Sequence, residues 1–450
     1  MQSESHFIEG KIFGPLIKFA IPVFIALCLQ SLYGAVDLLV MGRFGTAADV
    51  SAVATGSQIM NMATMIVTSL AMGTTIMLGQ AIGSGNQKSA GSIIGSSICF
   101  FFTLAVILTV IMITVAGTFT ALLQAPAEAF HKTVNYIKIC SAGMIFIVAY
   151  NVLGSVFRGL GDSKTPLFTV FCACVINIIG DLFFVAVLHM DSSGTALATV
   201  AAQAFSVLLC IFIIRKRGLP FEFTKQNIRF DTKIVKKILK IGFPIALQES
   251  LVSISFLVIA AIVNSLGVIA SAGVGVAQKI CNFIMLVPSA FSQSLSAFVA
   301  QNIGAGKPKR ARQSMLCGMI ASLVAGVFMG YFAFFHGDTL AEIFSKETEV
   351  ILAAADYLKA YAIDTCFVAF LFCFIGYFNG CGKTTTVMLQ GIIGAFGVRV
   401  PVSFIMSKLP DTTLFKIGLS TPASTTVQII FCSVCLWLMI RKEKREYGEY

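Results

Sequence analysis

Two aspartates stand where an aspartate is expensive. Asp37 lies in "SLYGAVDLLVMG" and Asp181 in "INIIGDLFFVAVL", each inside an apolar run. An ionisable side chain in hydrocarbon costs several kcal/mol unless it faces a cavity or a partner, so each marks a functional position by default. Asn177 precedes Asp181 by one helical turn on the same face, where its amide can hydrogen-bond the carboxylate. Thr199, Asn151, Tyr150 and Gln203 supply further oxygen-bearing groups in neighbouring apolar stretches, and Tyr33 and Gln30 do so beside Asp37. Carboxylate, amide and hydroxyl oxygens suit a small hard cation such as Na+, and a buried carboxylate also suits a proton. Asp37, Asp181, Asn177, Thr199 and Asn151 are therefore expected to form an ion-coupling site. Tyr33, Gln30, Tyr150, Gln203, Glu249 and Asp364 are the candidates for a substrate cavity. Two buried cations, Lys279 and Arg399, are expected to neutralise Asp364 or cap backbone carbonyls.

Other chemistries find no support. "GCGKTTT", from Gly380 to Thr386, imitates the end of a phosphate-binding loop. Such a loop also needs a glycine ahead of the four residues that precede Gly382-Lys383-Thr384, and Tyr377 stands at that position. No nucleotide is expected there. His6, His131, His189 and His336 fall singly at the terminus or in outer loops, so neither a metal centre nor an enzyme is expected, and no cofactor.

The elements that carry these residues must be membrane helices. Of the 450 residues 57% are hydrophobic and 12% charged, too little polar surface to coat a soluble globule. About 20 apolar residues span the hydrocarbon. Twelve such spans are expected, near 15–42, 50–82, 91–123, 133–157, 166–188, 194–214, 242–266, 271–303, 313–335, 350–378, 386–407 and 417–440. Lys and Arg gather on one side of this topology, above all between Arg215 and Lys240, which puts both termini in the cytoplasm. The net charge of +11 then points to anionic membrane lipids rather than nucleic acid. No cleavable signal peptide is expected, and the 13 cysteines, scattered among the spans, read as small packing residues.

Shifted by 221, the chain matches itself. "GQAIGSG" at Gly79 falls on "AQNIGAG" at Ala300, Tyr136-Ile-Lys138 on Tyr357-Leu-Lys359, and "FRGLG" at Phe157 on "FNGCG" at Phe378. At 222, Lys18-Phe-Ala-Ile-Pro22 meets Lys240-Ile-Gly-Phe-Pro244. The fold expected is an all-α integral membrane protein of two pseudo-symmetric six-helix bundles. Six is even, so the copies are parallel and related by an axis along the membrane normal. Residues 1–214 form the N-terminal lobe, 215–240 a cytoplasmic linker and 241–450 the C-terminal lobe. The stripe of Ile234, Ile238 and Ile241 among lysines suggests an interfacial amphipathic helix in that linker. Ile259 and Val402 occupy the second-copy positions of Asp37 and Asp181, so the expected ion coupling is asymmetric.

With "SLYGAVDLLVMGRFG", "GQAIGSG", "AQNIGAGK", "FRGLGDSKTP", "NIIGD" and "GTALAT" in view, the whole chain resembles the multidrug and toxic compound extrusion (MATE) family of secondary transporters. The resemblance implies export of amphipathic, often cationic small organic compounds from the cell across the plasma membrane, driven by inward H+ or Na+ through alternating access. It matches Asp37, Asn177, Asp181 and Thr199 to the family's first-lobe site. One branch uses a glutamate in the seventh helix and an aspartate in the tenth, from which Glu249 and Asp364 are displaced. A monomer is expected. The alternative is a flippase for a lipid-linked oligosaccharide, which would need a cationic cavity where this first lobe is acidic.

Overall fold

The computed structural model describes residues 7–447, with side chains to 445; His6 lies outside them. Among the described residues eleven helices are long and apolar enough to cross a membrane: Phe13–Phe44, Ala47–Gly83, Gln87–Leu122, Lys164–Val187, Ser192–Arg217, Thr232–Asn264, Val268–Gly304, Pro308–Phe335, Thr348–Gly380, Thr384–Ser407 and Leu414–Arg445. A twelfth span, fourth in order, is the pair Ala127–Ala142 and Met144–Gly159, bent by 54°. The chain is a multi-pass membrane protein.

Its helix ends follow from local chemistry. Thr46 and Asp49 form a reciprocal capping box that opens the second span. The fourth and tenth spans close in the same way: Asp162 N donates to Phe157 O at 2.9 Å and Lys383 N to Phe378 O at 2.8 Å, around Gly161 at φ +81° and Gly382 at φ +72°. The phosphate-loop lookalike is thus a left-handed helix C-terminus, a conformation glycine adopts without steric cost.

The chain divides into two compact units. The first holds Met1–Gly10, Ile17–Gly242 and Ala300–Gly306, with a core that includes Met41, Val67, Phe101, Ile137 and Met144. The second holds Lys11–Leu16, Phe243–Val299 and Lys307–Tyr450, with Ile259, Val274, Tyr357 and Ile417 in its core. Within the first unit the paired motifs cross reciprocally. A Cβ on Gly83 would fall 1.9 Å from Gln301 O, and one on Gly304 would fall 2.1 Å from Gln80 O. These are equivalent contacts at the repeat offset of 221. Gln301 Nε2 also donates to Gly159 O at 3.0 Å, and Asn302 Nδ2 to Phe7 O at 3.1 Å.

The expected interfacial helix between the copies is corrected. Thr232–Asn264 is one helix, so residues 232–240 are the opening turns of the seventh span. Ile238 is fully buried and Ile234 half-buried; the stripe packs on protein rather than lipid. The reason lies on the second span, where Gly73 has no side chain and admits the Ile238 carbonyl: a Cβ there would stand 2.6 Å from it.

Candidate functional site

The polar centre of the first unit is assembled by the first, fifth and sixth spans. Gly180 and Ala198 set the fifth and sixth side by side, since a Cβ on Gly180 would meet Ala198 Cβ at 2.9 Å. Asp181 and Thr199 are the next residue on each helix. From the first span Asp37 enters between them, with Asp181, Asn177 and Thr199 as its neighbours. Thr199 Oγ1 donates to Asp37 Oδ2 at 3.5 Å, and Tyr33 Oη donates to the Thr199 carbonyl at 3.4 Å.

Burial here is nearly complete. Asp181 and Asn177 are fully buried, and Asp37 is 4% exposed. Yet Asp37 Oδ1, both Asp181 oxygens and both Asn177 amide atoms have no hydrogen-bond partner. Buried polar atoms are paired in the great majority of cases. Of these five unpaired atoms four are oxygens, the atom type that a proton or a small hard cation requires, and the fifth is the Asn177 amide nitrogen, a donor. The expected Asn177 to Asp181 hydrogen bond does not form, and Asn177 is instead a neighbour of Asp37. Immediately after Asp181 the fifth span winds into a π-helix, Leu182–Val187, a register found mostly at functional sites.

Asn151 stands apart from this group. Its Oδ1 accepts from Thr68 Oγ1 at 2.9 Å and its Nδ2 donates to Ile147 O at 2.8 Å, so its amide links the second and fourth spans. It is not among the neighbours of Asp37. Tyr150 is buried and neighbours Gln30, which is exposed. Gln203 is half-buried, with an unpaired Oε1.

In the second unit the charges are arranged differently. Asp364, a candidate for the substrate cavity, is fully buried with Thr425 and Arg399 as neighbours, and neither of its oxygens has a hydrogen-bond partner. Arg399 ends a π-helix, Ile393–Arg399, donates to Ser255 Oγ at 3.2 Å, and lies 4.5 Å above the Phe256 ring. Lys279, expected as a buried charge, is exposed, its Nζ 5.8 Å from the centroid of Phe344. A long flexible stem lets it carry the ammonium away from apolar surroundings toward an aromatic face. Glu249 is exposed.

Sequence reasoning passed over one buried carboxylate. Asp49 is 3% exposed and accepts from Lys132 Nζ at 2.6 Å, Ser192 N at 3.3 Å, Thr46 N at 3.0 Å and Thr46 Oγ1 at 2.6 Å. The Thr46-x-x-Asp49 spacing was the available signal, as a helix-start pattern.

Comparisons with known proteins agree with this architecture. The family model described as MatE matches residues 22–183 and 244–405, once in each copy of the repeat. The "Probable multidrug resistance protein YoeA" of Bacillus subtilis (strain 168) is 26% identical over 425 residues, covering 92% of this chain and 90% of that protein. The "Probable multidrug resistance protein NorM" of Thermotoga maritima is 25% identical over 408 residues, covering 90% and 86%. Among solved structures, "Crystal structure of MATE in the bent conformation" superposes with a TM-score of 0.93 at 18% identity, covering all of both chains. "Outward-facing conformation of a multidrug resistance MATE family transporter of the MOP superfamily" does so at 0.92 and 18%, covering 99% of each.

Proposed function

This chain belongs to the MatE family, whose members are transporters and not enzymes, and we propose that it exports small amphipathic, mainly cationic organic compounds in exchange for inward-moving H+ or Na+. The observation that carries this reading is the Asp37 and Asp181 pair, buried with three unpaired carboxylate oxygens beside Asn177 and Thr199. The printed names of the relatives, multidrug resistance proteins, support the substrate class.

The mechanism follows from charge. An ion arriving from outside neutralises the carboxylates, and the first unit then holds an organic cation less strongly. Release outward is followed by reorientation inward, where the ion leaves and a new substrate binds. A bound ion can bias the two states only through a difference in affinity between them, and neutralisation of buried charge supplies that difference. Substrate cations are drawn by the same carboxylates, with Tyr33 and Tyr150 as apolar and hydroxyl-bearing walls. Both termini lie in the cytoplasm of a plasma-membrane protein that works as a monomer among anionic lipids.

The test is uptake of ethidium into proteoliposomes under an imposed pH gradient, an imposed Na+ gradient, or neither. One gradient should accelerate uptake and the other should not. Equal rates under all three conditions would refute ion-coupled exchange.

A further inference from the structure

Asp49 is more than a helix cap. A capping box needs the Thr46 contacts alone, whereas here the second carboxylate oxygen reaches two elements distant in sequence. Lys132 belongs to the first half of the bent fourth span, and Ser192 is the first residue of the sixth. All four donors converge on a carboxylate that is nearly closed to solvent.

What this knot holds is the connection between the two helices of the ion site. From Asp181 the chain runs through the π-helix Leu182–Val187, then through His189 at φ +52°, and reaches Ser192 after eleven residues. A non-glycine residue in the left-handed region and a π register both carry strain, and strained conformations persist where surrounding contacts over-determine them. The π segment is pressed onto the sixth span at Gly194, where a Cβ would meet Phe184 Cβ at 3.1 Å and Val185 Cγ2 at 3.3 Å. Beyond Ser192 the sixth span is rigid helix for the two turns that lead to Thr199.

We propose that Asp49 and Lys132 are a positioning pair for the ion site. By anchoring the first turn of the sixth span, they hold Thr199 against Asp37 and maintain the π register that aims Asp181. The inference rests on the reading of Asp37 and Asp181 as the coupling site, and it adds a residue pair that touches neither carboxylate. The pair acts through backbone geometry, so its loss changes ion affinity before it changes the maximal rate.

The experiment uses Asp49→Asn, Lys132→Gln and the double variant in the full chain, with two measurements. In proteoliposomes, ethidium uptake is followed as the driving-ion concentration is varied. In detergent, hydrogen exchange is followed at residues 182–195 and, as an internal reference, 164–177. Each single variant should raise the half-saturating ion concentration about tenfold, the change that roughly 1.4 kcal/mol of lost orientation produces. Maximal rate should stay near wild type, exchange should accelerate in 182–195 and not in 164–177, and the double variant should be no worse than the worse single. An unchanged half-saturating concentration with unchanged exchange overturns the proposal, as does a fall in maximal rate alone. Should Asp49→Asn fail to fold, the partly exposed Lys132 carries the test through Lys132→Gln. If wild type shows no gradient-driven uptake, the transport reading fails separately, and the exchange comparison still decides whether the knot holds the segment.

Discussion

Asp181→Asn separates a working carboxylate from a structural one, because the two roles predict opposite effects on stability. Asp181 is fully buried with Asp37, a second acid, as its neighbour, and accepts from no N–H or hydroxyl donor, so the substitution relieves a contact between two acids. A neutral amide is also less costly to hold in that position than an ionised carboxylate. Thermal unfolding in detergent should therefore occur at the wild-type temperature or above it. Function should move the other way. A monovalent cation about 4 Å from a carboxylate gains about 4 kcal/mol at an effective dielectric of about 20. Removing one of the two carboxylates then weakens ion binding by roughly a thousandfold. In proteoliposomes, gradient-driven ethidium uptake should fall to the level of empty liposomes, while counterflow of ethidium without a gradient keeps a measurable rate. A variant that transports at half the wild-type rate under the gradient would refute the assignment. So would one that loses transport together with a clear drop in unfolding temperature, since that pattern belongs to a packing residue.

Four further substitutions test the frame of the two units. Gly304→Ala places a Cβ 2.1 Å from Gln80 O, where backbone must yield, and should cost about 1–3 kcal/mol; Gly117→Ala, with nothing within 4 Å, should be neutral or stabilising in the same unfolding assay. Arg399→Met removes the guanidinium neighbouring fully buried Asp364 together with its hydrogen bond to Ser255, and should destabilise by about 1–3 kcal/mol. Adding Asp364→Asn should restore most of that loss, and a double variant as unstable as the single would show that Arg399 acts through Ser255 or Phe256 instead.

The spans were legible because hydropathy is summed over some 20 residues and survives errors at single positions. Asp37 and Asp181 were legible for the converse reason, as isolated violations of that pattern. What escaped was the face each helix turns to its neighbours. Asn151 and Gln203 look equivalent in sequence, yet one is spent on Thr68 and the other keeps an unpaired oxygen. Lys279 and Arg399 both read as intramembrane cations, but the long lysine stem swings to Phe344 while the guanidinium is packed over Phe256. The bend in the fourth span has no proline to announce it. Gly143 there fits against Val200, where a Cβ would stand 2.5 Å from the nearest methyl carbon. Asp49 was visible as a capping residue, but its partner Lys132 is 83 residues away, and no local pattern encodes that pairing.

The repeat explains why the site can work in one copy. The two halves share the features that shape backbone: the left-handed turns at Gly161 and Gly382, and the reciprocal crossing of Gly83 and Gly304. They part at the charges. The position of Asp37 is filled in the second copy by Ile259, which is fully buried in the hydrophobic core. The second unit does bury an acid, Asp364, whose oxygens are likewise unpaired, but Arg399 is among its neighbours and offsets part of its charge. The carboxylates of the first unit have no such neighbour among their closest groups. An ion alters the balance between two conformations only where its binding changes the local charge by an amount that differs between them. An acid with a cation nearby offers less charge to change than two carboxylates that have none. On the proposed ion-coupled reading, coupling falls to the first unit through the absence of a neighbouring arginine as much as through the presence of the aspartates.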